Sequence, residues 1–590
     1  MLRWAMPTED IAAVADIVRV HGAERADVAA LVMGERIVTY GELHARSSQA
    51  ANAFRAAGVG LGDRVAFVEK NGVEFFEVTY GLAKLGAVVV PVNWRLAPPE
   101  MLQIIDDAGA AVVVVGSEFL GHIEAIADEL TSVHTILAVG HHDRWQAFDD
   151  WIADQPTDDP GVATGPDDIA LQLYTSGTTG LPKGVMLKNS NFFSLVSCIT
   201  PQWRFTADSV SIAVMPMFHI AGSGWAMVGL YCGCTNIVMR DVDPVAILDA
   251  VPRHRVTNIL LVPAVIQFVL MTPGVEKTDF SSLRTLVYGA SPISDDVLIK
   301  GLERFGCEFI GVYGLTETTG AITQLKGPDH DPVNRPELLR SCGRPHPWVE
   351  MRFVDANGED VSTGSIGELW TRSPQNMAGY WNNPVATAAT VTPDAWLKSG
   401  DAGYLGEDGY IYLFDRVKDM IVSGGENIYP AEVENVLMAH EDVGDVAVIG
   451  IPDATWGEAG QGSRRGRGRG LPQRVGPDRV RSRAAGRLQA AQIHRLHHGT
   501  ATQPQRQTPQ TTAARAVLGG RRASHPLIRT VSRRRAANDV IDTDSWRSWP
   551  AGCSFGRSTT RARCGSTATS STWRSPATTA LARCSTRGSR

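Results

Sequence analysis

The segment Tyr174-Thr-Ser-Gly-Thr-Thr-Gly-Leu-Pro-Lys-Gly184 is rich in groups that can bind a polyphosphate. Its glycines let the backbone turn tightly and bring N–H groups against a ligand. Hydroxyls and one ammonium add further donors and positive charge, from Thr175, Ser176, Thr178, Thr179 and Lys183. It is not a Walker loop, because Leu181 and Pro182 separate Gly180 from Lys183. A Gly/Ser/Thr-rich stretch is often only a surface loop, but this full spacing favours a phosphate-binding loop.

A second candidate segment is Gly311-Val-Tyr-Gly-Leu-Thr-Glu317, which follows an apolar, strand-like run. Its Tyr-Gly pair offers a flat ring beside a bare backbone, an arrangement that suits a purine. The carboxylate of Glu317 is an oxygen ligand of the kind that Mg²⁺ prefers. The alternative for the Thr-Glu pair is a helix N-cap with an acidic residue in the first turn.

Two further segments carry charged groups beside glycines or turns. In Trp396-Leu-Lys-Ser-Gly-Asp401-Ala-Gly, the flanked carboxylate can accept from both hydroxyls of a ribose, or can simply sit in a turn. The segment Asp415-Arg-Val-Lys-Asp-Met-Ile-Val-Ser-Gly-Gly-Glu-Asn427 is a charged turn that enters a strand. Its alternative is a cluster of surface ion pairs.

The elements that must position these segments alternate between helix and strand. Helical periodicity covers residues 11–32 and 42–57. Short β-branched runs bounded by Gly or Pro predict strands near 64–68, 86–92, 110–115, 135–139, 169–173, 259–262, 285–288 and 309–313. This order predicts parallel sheets covered by helices on both faces. From about Met351 the strands shorten and turns such as Asn357-Gly appear, which indicates an antiparallel or barrel-like part.

Composition indicates a soluble, cytoplasmic protein with more than one domain. The 590 residues are 44% hydrophobic, enough for a large core. The eight cysteines contain no CxxC pair, so neither a disulfide framework nor a zinc site is predicted, and Cys232 and Cys234 are expected in the core. The N-terminus shows no signal-peptide pattern, and the apolar run at 258–271 is too short to span a bilayer.

The charge changes abruptly near residue 460. Residues 461–590 contain 26 Arg and 4 Asp but no Lys, Glu or Tyr, giving a formal charge of +22. The whole chain carries −7, so residues 1–460 carry −29. One interpretation is a basic arm for nucleic acid, although no binding-module motif is present. The other is translation of GC-rich DNA in a different frame, since such a composition is foreign to a globular domain.

Together the four segments, in this order, resemble the adenylate-forming superfamily, and most closely the acyl-CoA synthetases (fatty-acid–CoA ligases). Three more segments strengthen the resemblance, which covers residues 12–459: Met215-Pro-Met-Phe-His-Ile-Ala221, Tyr288-Gly-Ala-Ser-Pro292 and Tyr429-Pro-Ala-Glu-Val-Glu434. The resemblance implies an α/β fold with a large domain over 1–414, built from two helix-covered β-sheet subdomains and a small distorted barrel. A hinge and a truncated small α+β domain would occupy 415–460, followed by a disordered tail over 461–590.

The resemblance also implies a reaction with ATP, Mg²⁺, a carboxylic acid and CoA. The carboxylate attacks the α-phosphate of ATP to give an acyl-adenylate and pyrophosphate, and the CoA thiol then displaces AMP. The implied phosphate-binding residues are Thr175, Ser176, Gly177, Thr178, Thr179, Gly180 and Lys183, with Thr316 on the α-phosphate. Glu317 would hold Mg²⁺, while adenine and ribose would meet Gly289, Ala290, Ser291, Tyr313, Gly314, Asp401 and Arg416. His219 would stand near the acyl carboxylate, and Asp415 would begin a hinge for domain rotation.

The chain departs from the resemblance at its C-terminus. The family has a lysine there, in a segment like Pro-Arg-Asn-Pro-Ser-Gly-Lys, whereas no lysine follows Lys418. Permitted codons for Leu488 to Thr512, read one base later, can spell Tyr-Lys-Arg-Pro-Lys-Ser-Ile-Asp-Phe-Ile-Thr-Ala-Leu-Pro-Arg-Asn-Pro-Ser-Gly-Lys-Leu-Leu-Lys-Arg, with that lysine across Gln507 and Thr508. We therefore expect that the coding frame slipped near Gly460. Such a chain would fold its large domain and bind ATP but adenylate poorly.

Three alternative functions remain open at this point. They are an aryl-acid–CoA ligase, an adenylation domain that loads a carrier protein, and a catalytically dead ATP- or acyl-binding protein with a polyanion-binding tail. The acyl chain length is not predicted, since Trp225, Met227 and Val228 fit an acyl pocket and a packed core equally well.

Overall fold

The computed structural model describes residues 11–175, 181–423, 426–428, 430, 433–434, 443–453, 457–466 and 528–530, all of which belong to one compact unit. The described helices are α1 (Val14–Glu24), α2 (Tyr40–Ala56), α3 (Val73–Ala83), α4 (Pro98–Ala108), α5 (Leu120–Glu124), α6 (Phe148–Ala153), α7 (Asn189–Gln202), α8 (Ile220–Tyr231), α9 (Pro244–His254), α10 (Pro263–Met271), α11 (Asp295–Phe305) and α12 (Pro384–Thr390). The described strands are β1 (Ala29–Met33), β2 (Arg36–Thr39), β3 (Arg64–Val68), β4 (Val88–Pro91), β5 (Ala110–Gly116), β6 (Thr135–Val139), β7 (Gln146–Ala147), β8 (Ile169–Thr175), β9 (Lys183–Lys188), β10 (Val210–Ala213), β11 (Thr235–Val238), β12 (Asn258–Leu261), β13 (Thr285–Gly289), β14 (Glu308–Leu315), β15 (Gly320–Leu325), β16 (Arg344–Pro345), β17 (Glu350–Val354), β18 (Gly367–Arg372), β19 (Gly379–Tyr380), β20 (Leu397–Leu405), β21 (Ile411–Arg416), β22 (Ile421–Ser423), β23 (Glu426–Ile428), β24 (Val443–Asp453), β25 (Gly457–Gly466) and β26 (Ile528–Thr530).

The first large sheet has the strand order β19-β9-β8-β4-β3-β5-β6-β7. Strands β3 to β8 run parallel, while β9 and β19 add antiparallel pairs at one edge. The valines of β5 at positions 112–115 are fully buried, because helices cover the sheet on both faces. Helices α1 to α3 pack on one face, and α4 and α5 pack on the other.

The second large sheet has the order β16-β15-β14-β13-β12-β10-β11-β1-β2. The six strands from β14 to β1 in this order are parallel, and the outer strands pair antiparallel. Helices α9 to α11 bury their apolar faces against it. Because ligands of open α/β sheets bind beyond the carboxyl ends of the strands, the ends of β13 and β14 are natural site positions.

Two smaller sheets follow in the chain. Strands β17-β18-β20-β21 form an antiparallel sheet, where the sequence predicted an antiparallel or barrel-like part. Strands β23-β22-β25-β24 form another, with β26 pairing β25 in parallel. Residues 461–466, at the start of the predicted disordered tail, continue β25. The division of the chain into 1–414, 415–460 and 461–590 stays a prediction.

The predicted α/β class is confirmed, and so are the predicted strands of both large sheets. Cys232 and Cys234 lie in the core, as expected. The predicted helix over 11–32 is wrong at its C-terminal end, because α1 stops at Glu24 and residues 29–33 form β1. Helix-forming residues there pair with β11 instead, so tertiary pairing overrides local propensity. No helix within the described ranges is long and apolar enough to cross a membrane.

Candidate active site

A cavity of about 1990 Å³ lies beyond the carboxyl ends of β13 and β14. Every residue that the sequence assigned to adenine or ribose lines it: Gly289, Ala290, Ser291, Tyr313, Gly314, Asp401 and Arg416. Gly289, Tyr313 and Gly314 belong to the second large sheet, and Ala290 and Ser291 follow its strand β13. The last two come from the antiparallel sheet of β20 and β21. Four segments that are distant in sequence thus meet in one cleft.

A hydrogen bond and an ion pair join Tyr313, Asp401 and Arg416 at this cleft. The Tyr313 hydroxyl donates to Oδ2 of Asp401, and Nε of Arg416 lies 2.9 Å from Oδ1 of the same carboxylate. Asp401 and Arg416 also face each other in the register of β20 and β21. Burial raises the pKa of Asp401, and the Arg416 guanidinium opposes that rise. Burial and the neighbouring carboxylate keep the pKa of Tyr313 well above its usual value, so the phenol stays a donor.

The loop after β13 contains a non-glycine residue in a strained backbone conformation. A Cβ at Gly289 would lie 2.3 Å from the carbonyl oxygen of Val312, so glycine allows the two strands to approach here. Ala290 has a left-handed backbone, with φ of 66°, although it is not glycine. Backbone strain of this kind persists where the surrounding structure over-determines it, and it gathers at ligand sites.

The predicted phosphate loop connects β8 and β9. Thr175 ends β8 and faces Lys183, which begins β9, in the antiparallel register. Ser176, Gly177, Thr178, Thr179 and Gly180 lie outside the described residues. The ammonium of Lys183 lies 4.9 Å above the ring centroid of Tyr380. A cation held over an aromatic face in this way keeps its charge at a fixed place.

Glu317 lies in a short 3₁₀ turn, Thr316–Thr318, directly after β14. Its Oε1 accepts a hydrogen bond of 2.9 Å from the hydroxyl of Tyr380, and its carbonyl accepts one of 2.8 Å from the amide of Met377. Sequence reasoning missed Tyr380. Only the Gly379-Tyr380 pair is visible in the sequence. In the structure these two residues form a short strand beside β9, and Gly379 has φ of 145°.

Glu317 fits a magnesium ligand shared with a substrate. Mg²⁺ sites in nucleotide enzymes use one or two carboxylates and complete their shell with phosphate oxygens and water. In the described part of the chain, no group of three His, Cys, Asp or Glu side chains converges. Tyr380 holds one carboxylate oxygen of Glu317, and no hydrogen bond among the described residues engages the other. The residues present therefore fit a metal that arrives with a polyphosphate.

The base of the phosphate loop is anchored by residues that the sequence did not single out. The hydroxyl of Tyr174 donates to Oδ2 of Asp107 at 2.6 Å, and Nε1 of Trp381 donates to the carbonyl of Asp107 at 2.9 Å. The guanidinium of Arg64 lies 3.4 Å from the ring centroid of Trp381. These contacts tie β3, α4, β8 and the chain after β19 together beneath the loop.

His219 caps the N-terminus of α8. Its Nδ1 accepts from the amide of Ala221 at 3.1 Å, so the proton of the neutral ring lies on Nε2. Desolvation by the surrounding protein lowers the pKa of His219, which favours that neutral form. A Cβ at Gly222 would lie 2.1 Å from the carbonyl oxygen of Pro216, so glycine lets α8 start directly beneath the preceding segment.

The buried amide of Asn71 holds the segment that leads to His219. Its Nδ2 donates to the carbonyls of Val214, Met215 and Met239 at 3.0–3.3 Å, and its Oδ1 accepts from the amide of Met217 at 3.1 Å. Asn71 lies three residues after the end of β3, and its partners follow β10 and β11, so it joins the two large sheets near their carboxyl edges. Sequence reasoning missed this residue as well.

A small apolar cavity lies between the α8 segment and the turn that carries Glu317. Its walls include Ile220, Gly224 and Met227 from α8, together with Phe192 and Thr319. The sequence left open whether Trp225, Met227 and Val228 line an acyl pocket or a packed core. All three pack in the main core, and Met227 also borders this cavity. Its volume of about 10 Å³ leaves room for about one water molecule.

Comparison with known proteins gives consistent matches. The sequence profile described as "AMP-binding enzyme" matches residues 18–381, and the profile of its C-terminal domain matches residues 432–464. Fatty acid–[acyl-carrier-protein] ligase ScoC of Streptomyces coeruleorubidus is 38% identical over 445 residues, covering 74% of this chain and 83% of that protein. Feruloyl-CoA synthase of an Amycolatopsis species is 39% identical over 430 residues, covering 72% and 83%.

Solved structures share the fold. The crystal structure of the anthranilate CoA ligase AuaEII in complex with anthranoyl-AMP superposes with a TM-score of 0.73 at 26% identity. The similarity covers 80% of this chain and 90% of that one.

Proposed function

The chain belongs to the AMP-binding enzyme family, and on that premise we propose that it is an ATP-dependent ligase joining a carboxylic acid to the thiol of CoA. Its substrates are a fatty or related carboxylic acid, ATP and CoA, with Mg²⁺ as the metal. The observation that carries the proposal is the convergence of Lys183, Tyr380 and Glu317 beside a cavity that Asp401 and Arg416 line.

The first half-reaction forms an acyl-adenylate. A carboxylate oxygen of the acid bonds to the α-phosphorus of ATP, and the bond from that phosphorus to the pyrophosphate oxygen breaks. Tyr313 and Asp401 would bind the nucleoside, while Thr175 and Lys183 would bind the departing phosphates and Thr316 the α-phosphate. Fixed donors at these places stabilise charge that gathers on phosphate oxygens in the transition state. Glu317 would hold Mg²⁺, which when bound neutralises part of that charge.

The second half-reaction transfers the acyl group. The thiol sulfur attacks the acyl carbonyl, AMP leaves with its oxygen, and the thiol proton is released. His219, at the start of α8 and next to Ile220 of the small apolar cavity, would contact the acyl carboxylate. A neutral ring suits that role because its Nε2–H can donate to an oxygen without forming a fixed ion pair.

A carrier-protein thiol is a second candidate acceptor. The observation that favours it is the 38% identity to ScoC, which is a ligase for acyl-carrier protein. CoA and carrier protein present the same phosphopantetheine thiol chemistry, so the two acceptors differ in what surrounds the thiol. Aromatic acids are a parallel alternative for the acid, since ferulate and anthranilate appear among the relatives.

We propose further that this particular chain adenylates poorly. Its last lysine is Lys418, and the family segment with its lysine is recoverable only by reading the codons for 488–512 one base later. Losing one charged donor to the transition state costs ~10²–10³-fold in rate. A slipped frame near Gly460 explains both the missing lysine and the composition of residues 461–590.

The test is ATP–pyrophosphate exchange with a panel of fatty and aromatic acids, run on this chain and on a frame-restored chain. We expect both chains to bind Mg·ATP and the restored chain to exchange at least about 10²-fold faster. Thiol acceptors are then compared as CoA and as a phosphopantetheinylated carrier protein. Failure of both chains to bind ATP would overturn the ligase assignment, and equal exchange rates would overturn the impairment.

A further inference from the structure

Gln375 lies where the chain passes beneath the turn that carries Glu317. We propose that Gln375 is a positioning residue, which fixes the turn at Thr316–Thr318 and thereby the place at which Glu317 meets Mg·ATP. This inference rests on the proposed function of Glu317. Among the described residues, Gln375 is not part of the lining of the cleft, so it would act through the turn.

The side chain of Gln375 is fully buried and saturated with hydrogen bonds. Its Nε2 donates to the carbonyl oxygens of Thr318 and Ala321, each at 2.8 Å. Its Oε1 accepts from Nε1 of Trp348 at 2.9 Å. Its exposed fraction is 0%, so none of these groups has water as an alternative partner.

These partners also fix the orientation of the amide. Two carbonyl oxygens can only accept, so they require the NH₂ end of Gln375, while the indole of Trp348 can only donate and requires the oxygen end. If the amide were flipped, its NH₂ group would face the indole N–H of Trp348. Its oxygen would then face the carbonyl oxygens of Thr318 and Ala321. The side-chain amide of Gln375 is therefore held in a single orientation, as is required of a residue that positions another group.

The backbone of Gln375 supports the strained end of the same turn. Thr319 has a left-handed backbone, with φ of 55°, although it is β-branched. Its hydroxyl donates to the carbonyl oxygen of Gln375 at 2.6 Å. A threonine in this conformation needs external support, and Gln375 is the residue that gives it here.

The chain after Gln375 contacts Glu317 itself. Two residues on, the amide of Met377 donates to the carbonyl of Glu317 at 2.8 Å, and Tyr380 donates to its carboxylate. The turn is thus held from below by Gln375 and from the side by the following residues. Replacement of Gln375 would remove its hydrogen bonds to the turn, whereas Tyr380 would still donate to the carboxylate of Glu317.

The test uses the full chain and measures binding, so it does not depend on catalytic rate. Titration calorimetry gives the dissociation constant of ATP with Mg²⁺ and with EDTA, and that of AMP. The ratio of the two ATP constants is the magnesium increment. We expect Gln375→Leu to reduce this increment by about 10–100-fold, the usual cost of losing a support behind a metal ligand, and to leave AMP affinity within about twofold.

A second variant covers the case in which Gln375→Leu does not fold. Gln375→Glu keeps the shape and the acceptor for Trp348, but at pH 8 it presents a carboxylate oxygen to two carbonyls. On acidification to pH 5.5 the carboxyl group gains a proton and can donate to one of them. We expect the magnesium increment of this variant, relative to the unaltered chain at the same pH, to recover on acidification.

Asn52→Leu is the matched control. Its buried amide also donates to two carbonyls, those of Pro156 and Asp158, and no hydrogen bond within the described residues joins it to the site. It should lower the melting temperature and keep the magnesium increment. If the Gln375 variants lowered only the melting temperature, as Asn52→Leu should, the positioning role would be refuted. Absence of ATP binding by the unaltered chain would instead refute the proposed function.

Discussion

The hydroxyl of Tyr380 donates to Oε1 of Glu317 at 2.9 Å, while its ring lies 4.9 Å from the ammonium of Lys183. One side chain therefore separates the acidic and the basic group predicted to meet the same polyphosphate. The phenol keeps its proton, because burial and the Glu317 carboxylate raise the pKa of Tyr380. The arrangement prevents a direct Lys–Glu ion pair, which would withdraw both groups from the ligand.

Tyr380→Phe separates these two contacts, since it removes the hydroxyl and keeps the ring. Loss of one hydrogen bond to a charged group should weaken Mg·ATP binding about 10-fold and leave AMP binding unchanged. Tyr380→Ala also removes the ring beneath Lys183 and should weaken ATP binding further, even in EDTA. Calorimetry with ATP in Mg²⁺, ATP in EDTA and AMP distinguishes the two effects. Equal losses in all three titrations would contradict this division of roles.

Asn71→Leu should be severely destabilising. The substitution leaves the carbonyls of Val214, Met215 and Met239 and the amide of Met217 without their partner, and we expect a loss of at least about 3 kcal/mol in unfolding free energy. Urea unfolding measures this loss.

The matched control for Asn71 is Asn236→Leu. Asn236 is equally buried, yet within the described residues neither its Oδ1 nor its Nδ2 has a partner. Removing an unsatisfied amide should therefore cost little or should stabilise the fold. If the two variants lost equal stability, amide volume rather than hydrogen bonding would explain Asn71.

The site residues that the sequence could predict share one property: each has a charged or hydroxyl side chain and lies in a short segment that contains glycines. This holds for four residues, which lie at the end of β8, at the start of β9, directly after β14 and within β20: Thr175, Lys183, Glu317 and Asp401. Their roles were assigned through family resemblance, and those roles stay predictions. The segment 176–180, which carries the other predicted phosphate ligands, lies outside the described residues.

The residues that the sequence could not predict act across long separations. Asn71 contacts residues about 144 positions away, and Gln375 contacts residues more than 50 positions away. No period or local motif links such pairs, because the contacts exist only once both sheets have assembled. The same limit explains the error at β1, where Ala29–Met33 has helix-forming residues but occupies a place beside β11.

Gly314→Ala tests whether close backbone approach shapes the Glu317 turn. A Cβ at this position would lie 1.8 Å from the carbonyl oxygen of Gly320, so β14 and β15 would have to separate next to the turn that joins them. We expect loss of the magnesium increment in ATP binding and a fall in melting temperature. Gly121→Ala, in α5, is the control, since no atom lies within 4 Å of its added Cβ, and it should stabilise the helix by up to about 1 kcal/mol. Normal Mg·ATP binding by Gly314→Ala would show that the turn tolerates a wider approach.

His346 should make the protein sensitive to mild acid. The residue is 1% exposed, its ring is stacked on Trp348 at 4.6 Å, and neither ring nitrogen has a hydrogen-bond partner among the described residues. Burial and, to a smaller extent, the charge of Lys326 lower the pKa of His346 to about 4. The unfolded chain binds this proton near pH 6.5, so between pH 6.5 and 4 the unfolded state holds more protons than the folded state.

Stability contributed by the neutral ring of His346 is therefore complete above pH 6.5 and is lost as the pH falls towards 4. The loss amounts to about 3 kcal/mol over that interval for one buried histidine. His346→Phe keeps an aromatic ring against Trp348 and cannot titrate, so its unfolding free energy should depend less on pH by that amount. Urea unfolding of both chains at pH 7.0 and 4.5 measures the difference, and other histidines with lowered pKa cancel because they are common to both. Parallel pH profiles would show that water or a rearranged neighbour solvates the protonated ring of His346 in the folded state.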